Sequence, residues 1–316
     1  MAIRLSVVIV SYNMARELPR TIRSLSPAMQ RGIAVEDYEL IVVDNGSSPT
    51  PSEDDLRRTG APVTLHRAPE PSPSPAGAVN HGLSLARGEV IGVFIDGARM
   101  ASPGLLSTAL LASRVCDRPV IGTLSFHLGT EVQMISTGRG YDQSKEDELL
   151  AGSRWEEDGY RLFSIAVPSG SSSRGWFVLP AETNALFLRR DHWRALGGYD
   201  PRFTSPGGGL VNLDTWSRAC ADPSGTAILL LGEATFHQVH GGVATNAPKG
   251  TWSEAFREEY VGIRGAPYRR PQQPPLLIGR LHPAALESLR ASLPLPEKPV
   301  AGESGLRTAL RGFLAR

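Results

Sequence analysis

The stretch GEVIGVFIDGARM, residues 88–100, decides how the rest of the chain is read. Its centre, VIGVFI at 90–95, is a nearly continuous apolar run, the pattern of a strand buried on both faces in the middle of a parallel sheet. The run stops at Asp96-Gly97. Both residue types form turns. The carboxyl ends of strands in open α/β sheets are also where ligands bind, and a carboxylate there can hold a metal, a ribose hydroxyl or a substrate. The neighbouring segments decide between turn and site.

Upstream, LSVVIV at 5–10 is a β-branched run that ends at Ser11-Tyr12-Asn13. Leu18, Ile22 and Leu25 then follow at helical spacing, with Pro19 tolerable only in the first turn. YELIVV at 38–43 is a second strand, ending at Asp44 and the polar turn 45–48. A weaker third strand at 63–66 precedes a Pro-rich loop at 69–75. Helical spacing resumes over 76–87 and stops at Gly88. This β-α-β-α-β-α-β alternation predicts a parallel, doubly wound sheet with helices on both faces. Right-handed crossovers then bring Ser11, Asp44 and Asp96 to one edge, which marks that edge as a ligand site. No G-x-G-x-x-G follows the first strand and no G-x-x-x-x-G-K-[ST] occurs, so a dinucleotide or P-loop site is not expected.

Downstream, Pro103 starts a helix and residues 119–128 read as a strand. Residues 129–175 form a polar excursion, read as a wall or lid. Residues 184–189 are strand-like, Asp191 is expected to cap a short helix, and glycines at 207–209 lead into LVNLDTWSRACA. Those glycines either expose helix N–H groups to a ligand or make a connector. A strand over 227–231 precedes His237 and His240. If this segment is a turn, the two histidines approach one point; on a strand, positions i and i+3 face opposite sides and only one can act as a ligand. Beyond residue 265 the chain is Pro-rich and then basic and helical, without enough apolar material for its own core. This tail either packs on the main domain or serves self-association.

The composition is that of a soluble globular protein: 316 residues, 41% hydrophobic, 21% charged and a net charge of +1. A charge so near zero gives no field for nucleic acid or anionic membrane. The apolar runs are far shorter than the ~20 residues of a membrane span, and the N-terminal run is too short for a signal peptide. Cys116 and Cys220 form no framework and are expected to be buried thiols, which makes the cytoplasm the default compartment.

Taken in order, SVVIVSYN, ELIVVDNGSS and NHGLSLARGEVIGVFIDGA resemble the nucleotide-sugar half of a GT-A glycosyltransferase of inverting family 2. NALFLRRDHWRALGGYDPRF and GGGLVNLDTWSR resemble that family's acceptor-side motifs. The resemblance implies a GT-A, Rossmann-like, mostly parallel twisted sheet with a Pro-rich and helical C-terminal tail. It divides the chain into a nucleotide-sugar half (1–120), an acceptor half (121–262) and an extension (263–316). It also implies transfer of a sugar from a nucleotide-diphosphate sugar such as a UDP-sugar to a hydroxyl of a small-molecule or glycan acceptor, with inversion and with Mg²⁺ or Mn²⁺. Tyr12 and Asp44 would recognise the base; Ser11, Asn13, Ser47, Asn80, Arg87 and Gly97 would line the nucleotide cleft. Asp96 stands at the first carboxylate of the metal-binding Asp-x-Asp.

Two positions depart from that pattern. The second Asp is replaced by Ala98, and the family's Glu-Asp catalytic pair falls on Val211-Asn212. Asn212 cannot act as a base, which leaves Asp214 and Glu182 as candidates. Asp214 also has the spacing of a surface pair with Arg218. His237 and His240 are candidates to make up the metal site. Ala98 and Asn212 also admit a catalytically degenerate nucleotide- or glycan-binding protein. A nucleotidyltransferase is disfavoured, because SYNMARELP replaces the Gly-rich basic loop which that chemistry needs.

Overall fold

The computed structural model describes residues 2–241 and 253–293. Ten strands form one sheet: β1 Leu5–Ser11, β2 Tyr38–Asp44, β3 Val63–Arg67, β4 Val90–Phe94, β5 Arg99–Ala101, β6 Pro119–Leu128, β7 Ala166–Pro168, β8 Ala185–Arg189, β9 Thr226–His237 and β10 Leu276–Gly279. The order along the main path is β10-β9-β6-β8-β4-β1-β2-β3. All pairs on it are parallel except those of β8, which runs antiparallel to both β4 and β6. The first three crossovers contain α1 Glu17–Ser24, α2 Glu53–Arg57 and α3 Ala76–Leu85. Later helices are α4 Leu105–Ala112, α5 Gln133–Ser136, α6 Gln143–Ser153, α7 Arg190–Leu196, α8 Val211–Ala221, α9 Ser253–Arg264 and α10 Leu286–Ser292.

The apolar runs are continuous because the central strands are covered on both faces. Along β1, Leu5, Val7 and Ile9 enter one core cluster with Leu18 and Ile22 of α1 and Leu105 of α4, while Val8 and Val10 enter another with Val79 of α3. β4 splits the same way, Val90 and Phe94 to the first and Ile91 and Val93 to the second. Gly92 between them has no side chain because Phe187 of β8 fills its place: a Cβ there would lie 2.4 Å from the Phe187 ring. Gly92 is thus what lets the antiparallel strand pack beside β4.

Several expectations change. The strand read at 227–231 extends to His237, through an irregularity in which four residues of β9 (230–233) stand against Thr123 alone on β6. Gly232, at φ 81°, makes this possible. Asp191 does not cap α7; it lies in the first turn, after Arg189 at the cap position. Cys220 is buried but Cys116 is only half-buried. Leu276–Gly279, inside the Pro-rich tail, adds a parallel edge strand to β9, and Ala285 is fully buried. Part of the tail therefore packs on the main domain. The basic helix read at 305–316 lies outside the described residues.

Candidate donor cleft and metal centre

The carboxyl edge assembles as the alternation implies. Ser11 and Asp44 are direct partners in the β1–β2 ladder, and Phe94, two residues before Asp96, pairs with Ile9. The loops above these strands clasp one another. Asn13, held at φ 53°, donates its N–H to Ser47 Oγ (2.8 Å) and accepts from Ser48 N–H through Oδ1 (2.9 Å). Both oxygens of the buried Asp44 accept from Ser47 N–H, at 3.1 and 3.3 Å. Asn45 Nδ2 donates to Ser72 O (2.8 Å), tying in the Pro-rich loop. Tyr12 stands free above the edge, 56% exposed.

Other expected cleft residues are placed differently. Ser11 is fully buried beneath Gly97, and its Oγ has no hydrogen-bond partner among the described residues. It supports the floor of the cleft and does not face it. The Asn80 side chain is taken by the backbone of Tyr199, donating to its O (2.7 Å) and accepting from its N–H (2.9 Å). Arg87 is a correction. It follows α3 at the amino-terminal edge of the sheet, where its guanidinium pairs with Glu39 and its N–H meets Ser6 Oγ near the start of β1. A chain entering β4 must start from that edge, so Arg87 lies across the sheet from the carboxyl ends. The 207–209 glycines serve as a connector: Gly207 N–H donates to Pro73 O, and Gly208 abuts Pro75.

The most developed chemistry surrounds Asp96. One ligand atom each from Asp96, His237 and His240 lies within 4.8 Å of the others. Strand alternation does not separate the histidines, because β9 ends at His237 and residues 238–240 follow outside the strand. Their Nε2 atoms are 3.0 Å apart. The tautomer of His237 follows from Gln133. The Gln133 amide nitrogen donates to His237 O (3.0 Å), which turns its Oε1 toward His237 Nδ1 (2.5 Å). Nδ1 must then carry the proton, leaving the Nε2 lone pair facing His240. Burial and the charge of Arg99 hold His237 well below the usual histidine range. Burial depresses His240 as well. Two neutral imidazoles and a carboxylate, one imidazole oriented from behind, form a donor set suited to a divalent ion.

Two residues of this centre escaped the sequence reading. Arg99 of β5 and His127 of β6 are both register partners of His237, so the three lie abreast across the sheet. Arg99 is nearly buried. Its Nε donates to Asp96 Oδ2 (2.8 Å) and its Nη1 to Ser125 Oγ (2.9 Å). His127 accepts Gln133 N–H at Nδ1 (2.9 Å), and burial followed by the Arg99 charge lowers it to about 4. Ala98 is fully buried against the α1 side of the core. Thr21 Oγ1 donates to Gly97 O (2.7 Å) and Gln238 N–H to Ala98 O (2.9 Å). The second position of the Asp-x-Asp pattern thus points into the core. Arg99, the next residue, pointed at the site from the start, but a charged residue after a turn gave no sequence signal of that.

Asn212, at the start of α8, is fixed by Tyr199, whose hydroxyl donates to its Oδ1 (3.0 Å). Asn212 Nδ2 donates to Glu182 Oε2 (2.8 Å) and to Thr183 O (3.0 Å). Glu182 is half-buried and raised above the usual carboxylate range, by desolvation first; the charges of Arg99 and Asp96 also reach it. Asp214 is fully buried and bound on both oxygens. Arg218 Nε reaches Oδ2 at 2.7 Å, and Arg264 reaches Oδ1 and Oδ2 at 2.6 and 2.7 Å. Arg218 also donates to Leu196 O and Gly198 O, and Arg264 pairs with Asp200. Asp214 is the hub that joins α8, α9 and the loop after α7.

Between α6 and the end of β9, a recess of about 530 Å³ opens beside His240, lined by Thr137, Tyr141, Gln143 and Ser144 among others.

These features define an α/β protein with a mostly parallel sheet whose carboxyl edge gathers the candidate site residues. Residues 6–107 match the sequence model of Glycosyl transferase family 2. An uncharacterized glycosyltransferase of Nostoc sp. (strain PCC 7120) is 28% identical over 200 residues, 63% of this chain and 54% of that protein. The chain thus spans about half the length of that curated relative. Among solved structures, glucosyl-3-phosphoglycerate synthase from Mycobacterium tuberculosis is similar with a TM-score of 0.47, 20% identity and 88% of each chain covered. The mannosyltransferase of Pyrobaculum calidifontis, solved with GDP-Man and Mn²⁺, gives 0.45, 14% identity, and 92% and 69% coverage. No helix among the described residues is long and apolar enough to cross a membrane.

Proposed function

We propose that the protein transfers a sugar from a nucleotide-diphosphate sugar to an acceptor hydroxyl with inversion, using Glu182 as base. The family 2 match over 6–107 supports a nucleotide sugar as donor, bound over the Asn13–Ser47 clasp with Tyr12 and Asp44 nearest the base. The observation that carries the reading is the convergence of Asp96, His237 and His240 at the end of the strands that form this cleft. These three residues would hold Mg²⁺ or Mn²⁺. Bound there, the ion supplies positive charge for the diphosphate as it departs.

The chain's own groups cover the remaining steps. The acceptor oxygen attacks the anomeric carbon, the bond from that carbon to the diphosphate oxygen breaks, and the nucleoside diphosphate leaves with the electron pair. The hydroxyl proton goes to Glu182, whose desolvation makes it more basic than an exposed carboxylate. Asn212 occupies the family's base position and steadies Glu182 through Nδ2. Asp214 has no part in this, because two arginines hold it. The hydroxyl and amide groups of the recess beside His240 offer partners to a polyhydroxyl acceptor. A cytoplasmic location belongs to the same proposal.

A second reading has its own support. With Ala98 buried and Asp96 paired to Arg99, the fold could bind a nucleotide or glycan without turnover. Release of nucleoside diphosphate from a panel of UDP-, GDP- and dTDP-sugars decides between the two. The proposal expects release above background with Mn²⁺ that Asp96→Ala abolishes. Nucleotide binding without release from any donor supports the degenerate reading, and no binding at all removes both.

A further inference from the structure

The pairing of Arg99 with Asp96 bears on how the centre is loaded. Arg99 follows the missing carboxylate directly, pairs in register with His237, and contacts Asp96 Oδ2 at 2.8 Å. It is nearly buried and anchored to Ser125 Oγ. The neutral imidazoles add no charge, so within the donor set Arg99 offsets the charge of Asp96. A free divalent cation arriving there must take Asp96 from a guanidinium already bound to it, and must sit beside a fixed positive charge. Both effects weaken binding of the metal alone. A metal that arrives with a diphosphate changes the balance, because the polyanion gives the guanidinium a new partner with matching fork geometry.

We propose that Arg99 is the resident counter-ion of Asp96 and passes from that carboxylate to the donor diphosphate when metal and nucleotide bind together. This rests on the metal centre of the preceding section. In this account Arg99 makes the two ligands mutually dependent: each binds poorly alone and well with the other, the reciprocity that thermodynamic linkage requires. It also gives a role to the arginine beside the gap left by Ala98. No bond is made or broken in this exchange; only ion-pair partners change.

The test is calorimetry and Mn²⁺ electron paramagnetic resonance on the full chain, using MnCl₂ alone, UDP or GDP alone, and both together. Wild type is expected to bind Mn²⁺ weakly alone and at least tenfold more tightly with nucleoside diphosphate. Arg99→Gln is expected to tighten binding of Mn²⁺ alone by about tenfold and weaken nucleoside diphosphate by about tenfold in the presence of Mn²⁺, collapsing the coupling. Arg99→Lys keeps the charge without the fork, so it should leave Mn²⁺ alone unchanged yet still weaken the nucleotide. This variant carries the test if Arg99→Gln fails a thermal-unfolding check. Wild-type coupling that persists unchanged in the variants overturns the Arg99 role and leaves the metal centre standing. Absence of Mn²⁺-assisted nucleotide binding in wild type overturns both.

Discussion

Asn212 Nδ2 lies 2.8 Å from Glu182 Oε2, so the amide at the family's base position is hydrogen-bonded to a carboxylate from a different segment, the residues before β8. Under the proposed function, the acidic role moves to Glu182 while its place in the fold is kept. Tyr199 and Thr183 fix the Asn212 amide, and that amide in turn orients Glu182.

Glu182→Gln keeps the hydrogen bond to Asn212 through its own amide oxygen but has no basicity. Turnover should fall by about 10²–10⁴-fold with donor binding little changed, the signature of a lost general base. Steady-state rates alongside calorimetric nucleotide affinity check this. Equal losses in both would assign Glu182 a binding role instead.

Asp214→Asn should act on stability. Removing the charge from a buried ion-pair hub leaves Arg218 without a counter-ion and Arg264 with Asp200 alone, and costs about 3–5 kcal/mol, read as a lower urea midpoint. Nucleotide affinity of the folded fraction should stay at the wild-type value. A stable Asp214→Asn protein that has lost turnover would return Asp214 to the catalytic role considered from sequence.

Gln133→Leu removes the group that sets the His237 tautomer. Mn²⁺ affinity, measured with nucleotide present, should fall by about 10–100-fold although Gln133 itself touches no metal. Nitrogen chemical shifts of His237 should move from a single Nδ1–H form toward a tautomer mixture.

His127 predicts a pH effect. Its folded-state value of about 4 lies below the ordinary 6.5, so between those pH values the unfolded chain binds a proton that the folded chain does not. The stability this contributes is complete above pH 6.5 and is lost as pH falls toward 4, amounting to at most about 3 kcal/mol. Glu146, raised to about 7 by burial, acts with the opposite sign. The readout is therefore the difference between wild type and His127→Asn: wild type should lose stability relative to the variant as pH drops through that window. A His127 ring that titrates near 6.5 by NMR would contradict this.

The sheet was legible in the sequence because its signal is local. Apolar runs ending in Ser11, Asp44 and Asp96, with helices between them, suffice to place three strand ends on one edge. β8 was found as a strand, but its antiparallel pairing with β4, where Phe187 packs over Gly92, is a contact across 95 residues that no window shows. The centre itself was half legible. His237 and His240 stood out by residue type, but whether they share a turn or part on a strand stayed open, because local pattern does not show that β9 ends at His237. Arg99 and His127 were hidden because only register with β9 makes them neighbours. Arg87 was misplaced by resemblance, since the motif gives its position along the chain and its pairing with Glu39 decides which edge it occupies.

The most direct test of the central claim is a crystal of the full chain soaked with MnCl₂ and UDP or GDP, with the Mn anomalous signal recorded. The account predicts one anomalous peak within coordinating distance of Asp96, His237 and His240, with the diphosphate against it and the base near Asp44. Nucleotide bound elsewhere, or bound over Asp44 with no ion at these three residues, would contradict it.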